Sequence, residues 1–265
     1  MSQLRRTTQA YPCLERLEAR RLLAADLIAH WNANDLAAQI ASSQLSEIWL
    51  DRIAEIPASQ DGHPSVQPRV LNQHATVRFD NPSSFDRYVV RTTDNPLTGL
   101  RNFSVSVVFA TASDELSNSA NQWYFQSGIV DANGFGLVND WGITINQSGQ
   151  VAAGIGNPAR TVTSTATSLN DGLAHHAILV RSGESMMLYV DGQMTTQTVV
   201  SNHPLDAREI RFGTGGVPYV GDIADIRVFD DALTRQEAQM LSQQLQSQYF
   251  NSPPTAQPDS FFARE

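Results

Sequence analysis

Lysine is missing from this 265-residue chain; all 18 basic residues are arginine. Schiff-base catalysis and the phosphate-gripping lysine of a P-loop are therefore both ruled out. Cysteine occurs once, as Cys13 near the N-terminus. The body of the chain thus has no internal disulfide and no thiolate for zinc binding or nucleophilic attack. Positive charge is short overall. The formal net charge of −9 argues against a nucleic-acid or anionic-membrane surface, since both need clustered cations. Long apolar runs are absent too, and none approaches the roughly 20 residues of a membrane span. The longest near the start, Leu22 to Ala29, is interrupted by Asp26, where a conventional signal peptide keeps an unbroken apolar centre.

What the chain has is short strands in quick succession. Leu27-Ile-Ala-His-Trp-Asn32 alternates, with Leu27, Ala29 and Trp31 on one face and Ile28, His30 and Asn32 on the other, the pattern of an edge strand lying on a core. Residues Asp35 to Ile56 read as a helical turn and then a strand around Glu47 to Arg52, and the polar, proline-bearing run Pro57 to Pro68 reads as a surface loop. Further strands are predicted at Ala75–Phe79, Tyr88–Thr92, Phe103–Ala110, Trp123–Asp131 and Trp141–Asn146. The series continues with Val151–Ile155, Thr161–Thr167, His175–Arg181, Met186–Val190 and Thr196–Val200. Many short strands with no long helices between them predict an all-β antiparallel sandwich or barrel, not a doubly wound sheet.

Two turns fix neighbours locally. Asn146-Gln-Ser-Gly149 and Asp191-Gly192 each separate two strand-like runs, and Asp-Gly suits the positive φ angles of a tight hairpin. Near the end, Ile223, Asp225 and Arg227 alternate with Ala224, Ile226 and Val228, and the strand stops at Asp230-Asp231. Thr234 and Glu237 then have capping-box spacing, and Leu233, Ala238, Leu241, Leu245 and Tyr249 follow at helical intervals. A short C-terminal helix with one apolar stripe is expected to pack on the sandwich.

The phrases Asn102-Phe-Ser-Val-Ser-Val-Val-Phe109, Leu188-Tyr-Val-Asp-Gly192 and Gly221-Asp-Ile-Ala-Asp-Ile-Arg-Val-Phe-Asp230, the last followed by Ala232-Leu-Thr234, resemble the laminin-G/pentraxin branch of the concanavalin A-like lectin and glucanase superfamily. The resemblance covers residues 27 to 250 and implies a two-sheet antiparallel jelly-roll sandwich. Ahead of it, in residues 1 to 26, Leu17-Glu-Ala-Arg-Arg-Leu-Leu23 is similar to the LEPR-x-LL motif of planctomycete surface proteins, with Ala19 in place of the usual proline. That motif implies export and an extracellular or cell-surface address, and residues 1 to 26 are placed outside the fold. Asn251-Ser-Pro-Pro-Thr-Ala-Gln-Pro-Asp-Ser260, within residues 251 to 265, resembles the opening of bacterial cadherin-like or Ig-like repeats, which implies part of a longer multidomain surface protein.

Glucan hydrolases of this superfamily place paired acids on one strand, as E-x-D-x-E or E-x-D-x-x-E, so that two carboxylates face the cleft. Asp114-Glu115, Glu209-Ile-Arg211 and Asp222-Ile-Ala-Asp225 all fail that spacing, so no catalytic residue is assigned. Adjacent His175 and His176 point to opposite faces of a strand and cannot share a metal. Asp222 and Asp225 read as turn or edge contacts. The richest polar segment is Asp131-Ala-Asn-Gly-Phe-Gly-Leu-Val-Asn-Asp-Trp141. Its oxygen donors Asp131, Asn133, Asn139 and Asp140 are of the type calcium takes, and the resemblance implies calcium at a sandwich rim as the cofactor. It is no EF-hand, because Gly142 occupies the twelfth position. Ordinary turn chemistry is the alternative reading for this segment.

Trp123, Tyr124 and Trp141 are the candidate platforms for a sugar ring, with core packing the alternative for each. The expected function is a non-catalytic recognition module for carbohydrate or a surface-protein ligand, with no nucleic-acid partner. A structural spacer is the second reading, and a glycoside hydrolase or lyase of the same superfamily is the third.

Overall fold

A computed structural model describes residues 25–42, 47–81, 85–119, 122–134, 139–213 and 217–250. The LEPR-like motif and the repeat-like segment lie outside the described residues, as do 135–138 of the Asp131–Trp141 loop. In chain order the elements are β1 (Leu27–Asn32), α1 (Ala33–Ala41), β2 (Ile48–Leu50), β3 (Pro57–Asp61), β4 (Ser65–Leu71), β5 (His74–Phe79), β6 (Arg87–Val90) and β7 (Phe103–Ala110). Then come β8 (Ser127–Asp131), β9 (Trp141–Ile145), β10 (Val151–Ile155), β11 (Arg160–Thr163), β12 (His175–Ser182), β13 (Ser185–Val190), β14 (Gln193–Val199), β15 (Ile210–Phe212), β16 (Gly221–Phe229) and α2 (Arg235–Tyr249).

Among the described residues the strands form two eight-stranded antiparallel sheets. The first runs β14-β13-β12-β7-β16-β5-β4 with β1 also on β16, and the second runs β11-β10-β9-β8-β15-β6-β3-β2. This is the jelly-roll sandwich expected. The inner faces meet over Trp31, Trp49, Phe79, Phe103, Phe109, Trp141 and Phe212 with aliphatic residues between them. Every residue of β7 is buried, because its second face does not meet water either. Val108 and Ala110 there lie beneath α2, whose stripe Ala238, Leu241, Leu245 and Tyr249 packs on Ile178, Val180 and Tyr189. Each large apolar side chain so removed from water contributes about 1.5–3 kcal/mol. The capping box forms as expected: Glu237 N–H donates to Thr234 Oγ1 at 3.3 Å, and Thr234 N–H to Glu237 Oε2 at 2.7 Å.

Both expected hairpins are present, β9–β10 and β13–β14. Asp191 and Gly192 have φ of 49° and 83°, the left-handed region that the first of them tolerates and the second prefers. Three expectations are corrected. Pro57 to Pro68 is not a loop but contributes β3 and the start of β4; β4 is an edge strand with a register break after Gln67, a position that accepts Pro68 without losing a ladder bond. Trp123 to Phe125 is a 3-10 turn, and the strand begins only at Ser127. The third correction concerns Asp225, expected at a turn or edge. A bulge between Ile223 and Asp225 breaks the alternation, so Ile223 faces the inner core while Asp225 lies under α2, 0 % exposed.

There Asp225 Oδ2 accepts from His30 Nε2 at 2.8 Å, Asn32 Nδ2 at 2.8 Å and Tyr249 O–H at 2.9 Å, and Oδ1 accepts from Arg227 Nε at 2.8 Å. Burial alone would raise its pKa. The His30 hydrogen bond and the Arg227 charge outweigh it and hold the carboxyl well below the usual carboxylate range. One carboxylate thus joins β1, β16 and α2. Asn32 uses its remaining oxygen to cap α1, accepting from Asn34 N–H at 3.0 Å.

The histidine pair divides between faces as the strand period requires. His175 stacks near Phe109 with centroids 5.9 Å apart, and its nitrogens bond Asp191 at 2.8 Å and Asp171 at 3.1 Å. His176 is wholly buried beside Phe250, with no hydrogen-bond partner on either ring nitrogen. Burial pushes its pKa down to about 4.

Asp225→Ala orphans four buried donors and is expected to cost about 3–5 kcal/mol in urea unfolding; a loss near zero would remove its organising role. A second expectation concerns acid. The unfolded chain protonates His176 below about 6.5, whereas the folded ring resists to about 4, so this residue's stability contribution is full above 6.5 and is lost as pH falls through 4. His175, whose net pKa is raised because bonds from Asp191 and Asp171 outweigh burial, acts in the opposite direction. His176→Leu should therefore flatten the acid limb of the stability profile by about 3 kcal/mol; an unchanged limb would refute the assignment.

Candidate binding face on the second sheet

The inner face of the second sheet is core, so any chemistry it offers is on its outer face. Strand register aligns one row of residues there: Thr161, Gly154, Gly142, Asp131, Arg211, Val89, Ser59 and Ile48. The two glycines make a slot, and Trp123 fills it. A Cβ on Gly154 would lie 1.8 Å from Trp123 Cδ1, and one on Gly142 would lie 2.6 Å from its Cζ3. Glycine inside a strand marks such close approach. The indole Nε1 has no hydrogen-bond partner, so shape alone seats this ring.

Both tryptophans of the candidate set are 1 % exposed, Trp123 in this slot and Trp141 in the inner core against Phe103. Neither presents a ring face to solvent. Tyr124 differs, being half-buried, and beside it stands Phe125, 56 % exposed, with ring centroids 4.7 Å apart. Phe125 had no place in the sequence-based set. No signal in the sequence marked it, because its exposure follows from the 3-10 turn that seats Trp123.

Next to the slot, Asp131 is buried and Arg211 is its cross-strand neighbour. Burial pushes the Asp131 carboxyl up to about 7, against the opposing charge of Arg211 and the bond from Asn133 N–H. Arg211 Nη1 donates to Asn133 O at 3.4 Å and Nη2 lies 3.6 Å from Glu209. Its buried Nε, like that of Arg208, has no acceptor. Arg87 donates to Asp61 at 2.7 Å farther along the face.

The four expected calcium ligands each have a local task. Asp131 Oδ1 accepts from Asn133 N–H at 3.3 Å, Asn133 Nδ2 donates to Tyr124 O at 3.3 Å, Asp140 Oδ2 accepts from Gly134 N–H at 2.9 Å, and Asn139 Nδ2 donates to Asp206 at 3.3 Å. Asn139 Oδ1 is buried without a partner, an acceptor that would suit a hard cation. Among the described residues no cluster of three or more His, Cys, Asp or Glu side chains could hold a metal. Asp140 is raised by burial, partly offset by the Gly134 bond.

The second sheet thus carries an outer row of small and polar residues, with half-buried Tyr124 and exposed Phe125 beside the seated Trp123. The chain belongs to the Concanavalin A-like lectin/glucanases superfamily, whose laminin-G profile matches residues 83–239. No curated protein matches it by sequence. Among solved structures it is similar to domain 4 of AbnA, a GH43 extracellular arabinanase from Geobacillus stearothermophilus in complex with arabinotriose, at 13% identity and a TM-score of 0.61 over 82% of this chain and 98% of that one. It is also similar to the botulinum neurotoxin serotype D ligand binding domain in complex with N-acetylneuraminic acid, at 15% and 0.58, and to the binding domain of Paraclostridial Mosquitocidal Protein 1, at 11% and 0.58. The match covers 82% of this chain in both and 50% and 52% of those chains. At these identities the likeness is one of fold.

Asp131→Asn tests the electrostatics of the row. The unfolded carboxyl titrates near 3.8 and the folded one near 7, so the native state holds the extra proton between them, and stability falls as pH rises through that window. The isosteric variant should gain about 2–4 kcal/mol over the parent at pH 8 and little at pH 4; a difference independent of pH would show that Asp131 is not held as described.

Proposed function

We propose that this domain is a non-catalytic recognition module that binds carbohydrate on the outer face of the second sheet. The observation that carries the proposal is the Tyr124–Phe125 pair. An apolar ring held 56 % open to water gains free energy when the C–H face of a sugar covers it. Thr161, Arg211 and Arg87 lie along the same face and supply hydroxyl and guanidinium groups for sugar hydroxyls. Two structurally similar domains are described in complex with sugars, one a neutral trisaccharide and one an acidic monosaccharide, which fits this ligand class without selecting between them.

The placement of the acids supports the non-catalytic reading. Glycosidases of the usual kind need two carboxylates flanking the scissile bond. Among the outward residues of β8, β9 and β15, Asp131 is the sole carboxylate, facing Gly142 on one side and Arg211 on the other, and the neighbouring Asp140 already accepts from Gly134 N–H. An extracellular or cell-surface setting within a longer chain completes the proposal, on the strength of the family and the motifs at both ends. Among the described residues, no helix is long and apolar enough to cross a membrane.

The test is a glycan array probed with calcium and again with chelator, using the parent and Phe125→Ala. Signal on a defined glycan subset that drops about tenfold or more in the variant, with an unchanged melting temperature, is the expected result. Silence on every glycan in both conditions would remove the lectin reading and leave the spacer. Loss of signal only with chelator would bring calcium into the site.

A further inference from the structure

Away from that face, on the outer side of the first sheet, the described residues bound a cavity of roughly 790 Å³ at the C-terminal end of α2. Its floor is the end of β5 and the start of β16, where Asp222 accepts from Arg78 Nε at 3.1 Å and Nη2 at 2.8 Å and from Thr76 Oγ1 at 2.8 Å. One wall is Phe250, half-buried at the end of α2, and the other is Leu173, 59 % exposed. Val70 and Phe79 add further apolar surface. His175 and Asp191 close one end and Asp80 lies at the other side of the floor beside Arg78.

The charges in and around this cavity are unbalanced. Among the described residues, Asp80, Asp171, Asp191 and Asp222 face only Arg78 and His175 as cations. Both cations are already committed, Arg78 to Asp222 and His175 to Asp191 and Asp171 through its two nitrogens. An anionic ligand would meet carboxylates at both ends and find its only counter-charges occupied. A cation with an apolar body meets the reverse: excess carboxylate for its head, with Leu173, Val70 and the Phe250 ring for its body. The size suits a ligand larger than one methylene chain, within the range of small-molecule and short-peptide pockets.

We infer that this cavity is a second binding site, independent of the sugar-binding face, for an organic cation of the alkylammonium or guanidinium class with an apolar body. Such a cation comes either as a free small molecule or as the lysine or arginine side chain of a partner segment. The chain itself, lacking lysine, offers no competing ammonium side chain.

The test uses pentylammonium and its neutral counterpart 1-pentanol, titrated into the whole chain and followed through the imidazole and methyl NMR signals of His175 and Leu173. Pentylammonium should bind saturably, about tenfold or more tighter than 1-pentanol, and weaken as salt is raised from 50 to 300 mM by about that factor. Asp80→Asn and Leu173→Ser, both at exposed positions that leave the melting temperature unchanged, should each weaken it about threefold or more. A blocked Leu-Lys-Leu peptide separates the sources: tighter binding than pentylammonium favours a side chain of a partner segment, and weaker binding favours a free cation. Either outcome sustains the site. Equal binding of 1-pentanol, no saturation by any cation, or affinities untouched by both substitutions would overturn it. Because Phe125→Ala should leave this titration unchanged, failure here and failure of the sugar-binding reading are separable.

Discussion

The buried carboxylate of Asp225 is the constraint on which the arrangement of this fold depends. An ion placed where water cannot reach it is costly unless all its acceptor sites are met, and here four donors from three elements meet them. That requirement couples β1 to β16 and fixes α2 at its C-terminal end through Tyr249. It also needs the bulge before Asp225, without which the carboxylate would point into the apolar core.

The two sheets are thereby given different fates. With α2 anchored, most of the outer face of the first sheet becomes a second apolar interior, and β7 has no wet side. Among the described residues, the outer face of the second sheet receives no α-helix and keeps glycine, threonine, arginine and aspartate in its central row. Division of labour between the sheets follows from where one helix is tied down. The part of the first sheet that α2 does not reach is where the acidic cavity opens.

Features set by neighbours in sequence were legible from the residues alone. The Asp191-Gly192 turn, the Thr234–Glu237 box and the opposite faces of His175 and His176 depend on local angles and spacing, and all formed as read. What escaped depended on distant partners. Pro57 to Pro68 has loop composition, yet pairing with β6 and β5 makes strands of it. Trp123 has strand propensity, yet it sits in a 3-10 turn with its ring on a flat seat made by two glycines some 20 to 30 residues later. Asp225 was expected at a turn or edge, because no local signal marks the bulge or the helix that covers it. In the candidate site, Tyr124 and the Asp131 loop were named from composition, whereas Phe125 became visible only with the 3-10 turn that exposes it and Arg211 only with the register that sets it beside Asp131.

The seat of Trp123 has one more implication. Its indole touches two bare backbone segments and donates no hydrogen bond, so dispersion and exclusion of water hold it, and both are nearly indifferent to pH and ionic strength. The arginine–carboxylate pairs and the carboxyl of Asp131, which burial pushes up to about 7, respond to both. The aromatic platform and the polar row of this face therefore answer to different variables. Acidity and salt can change the charge along the row while the seated indole stays in place.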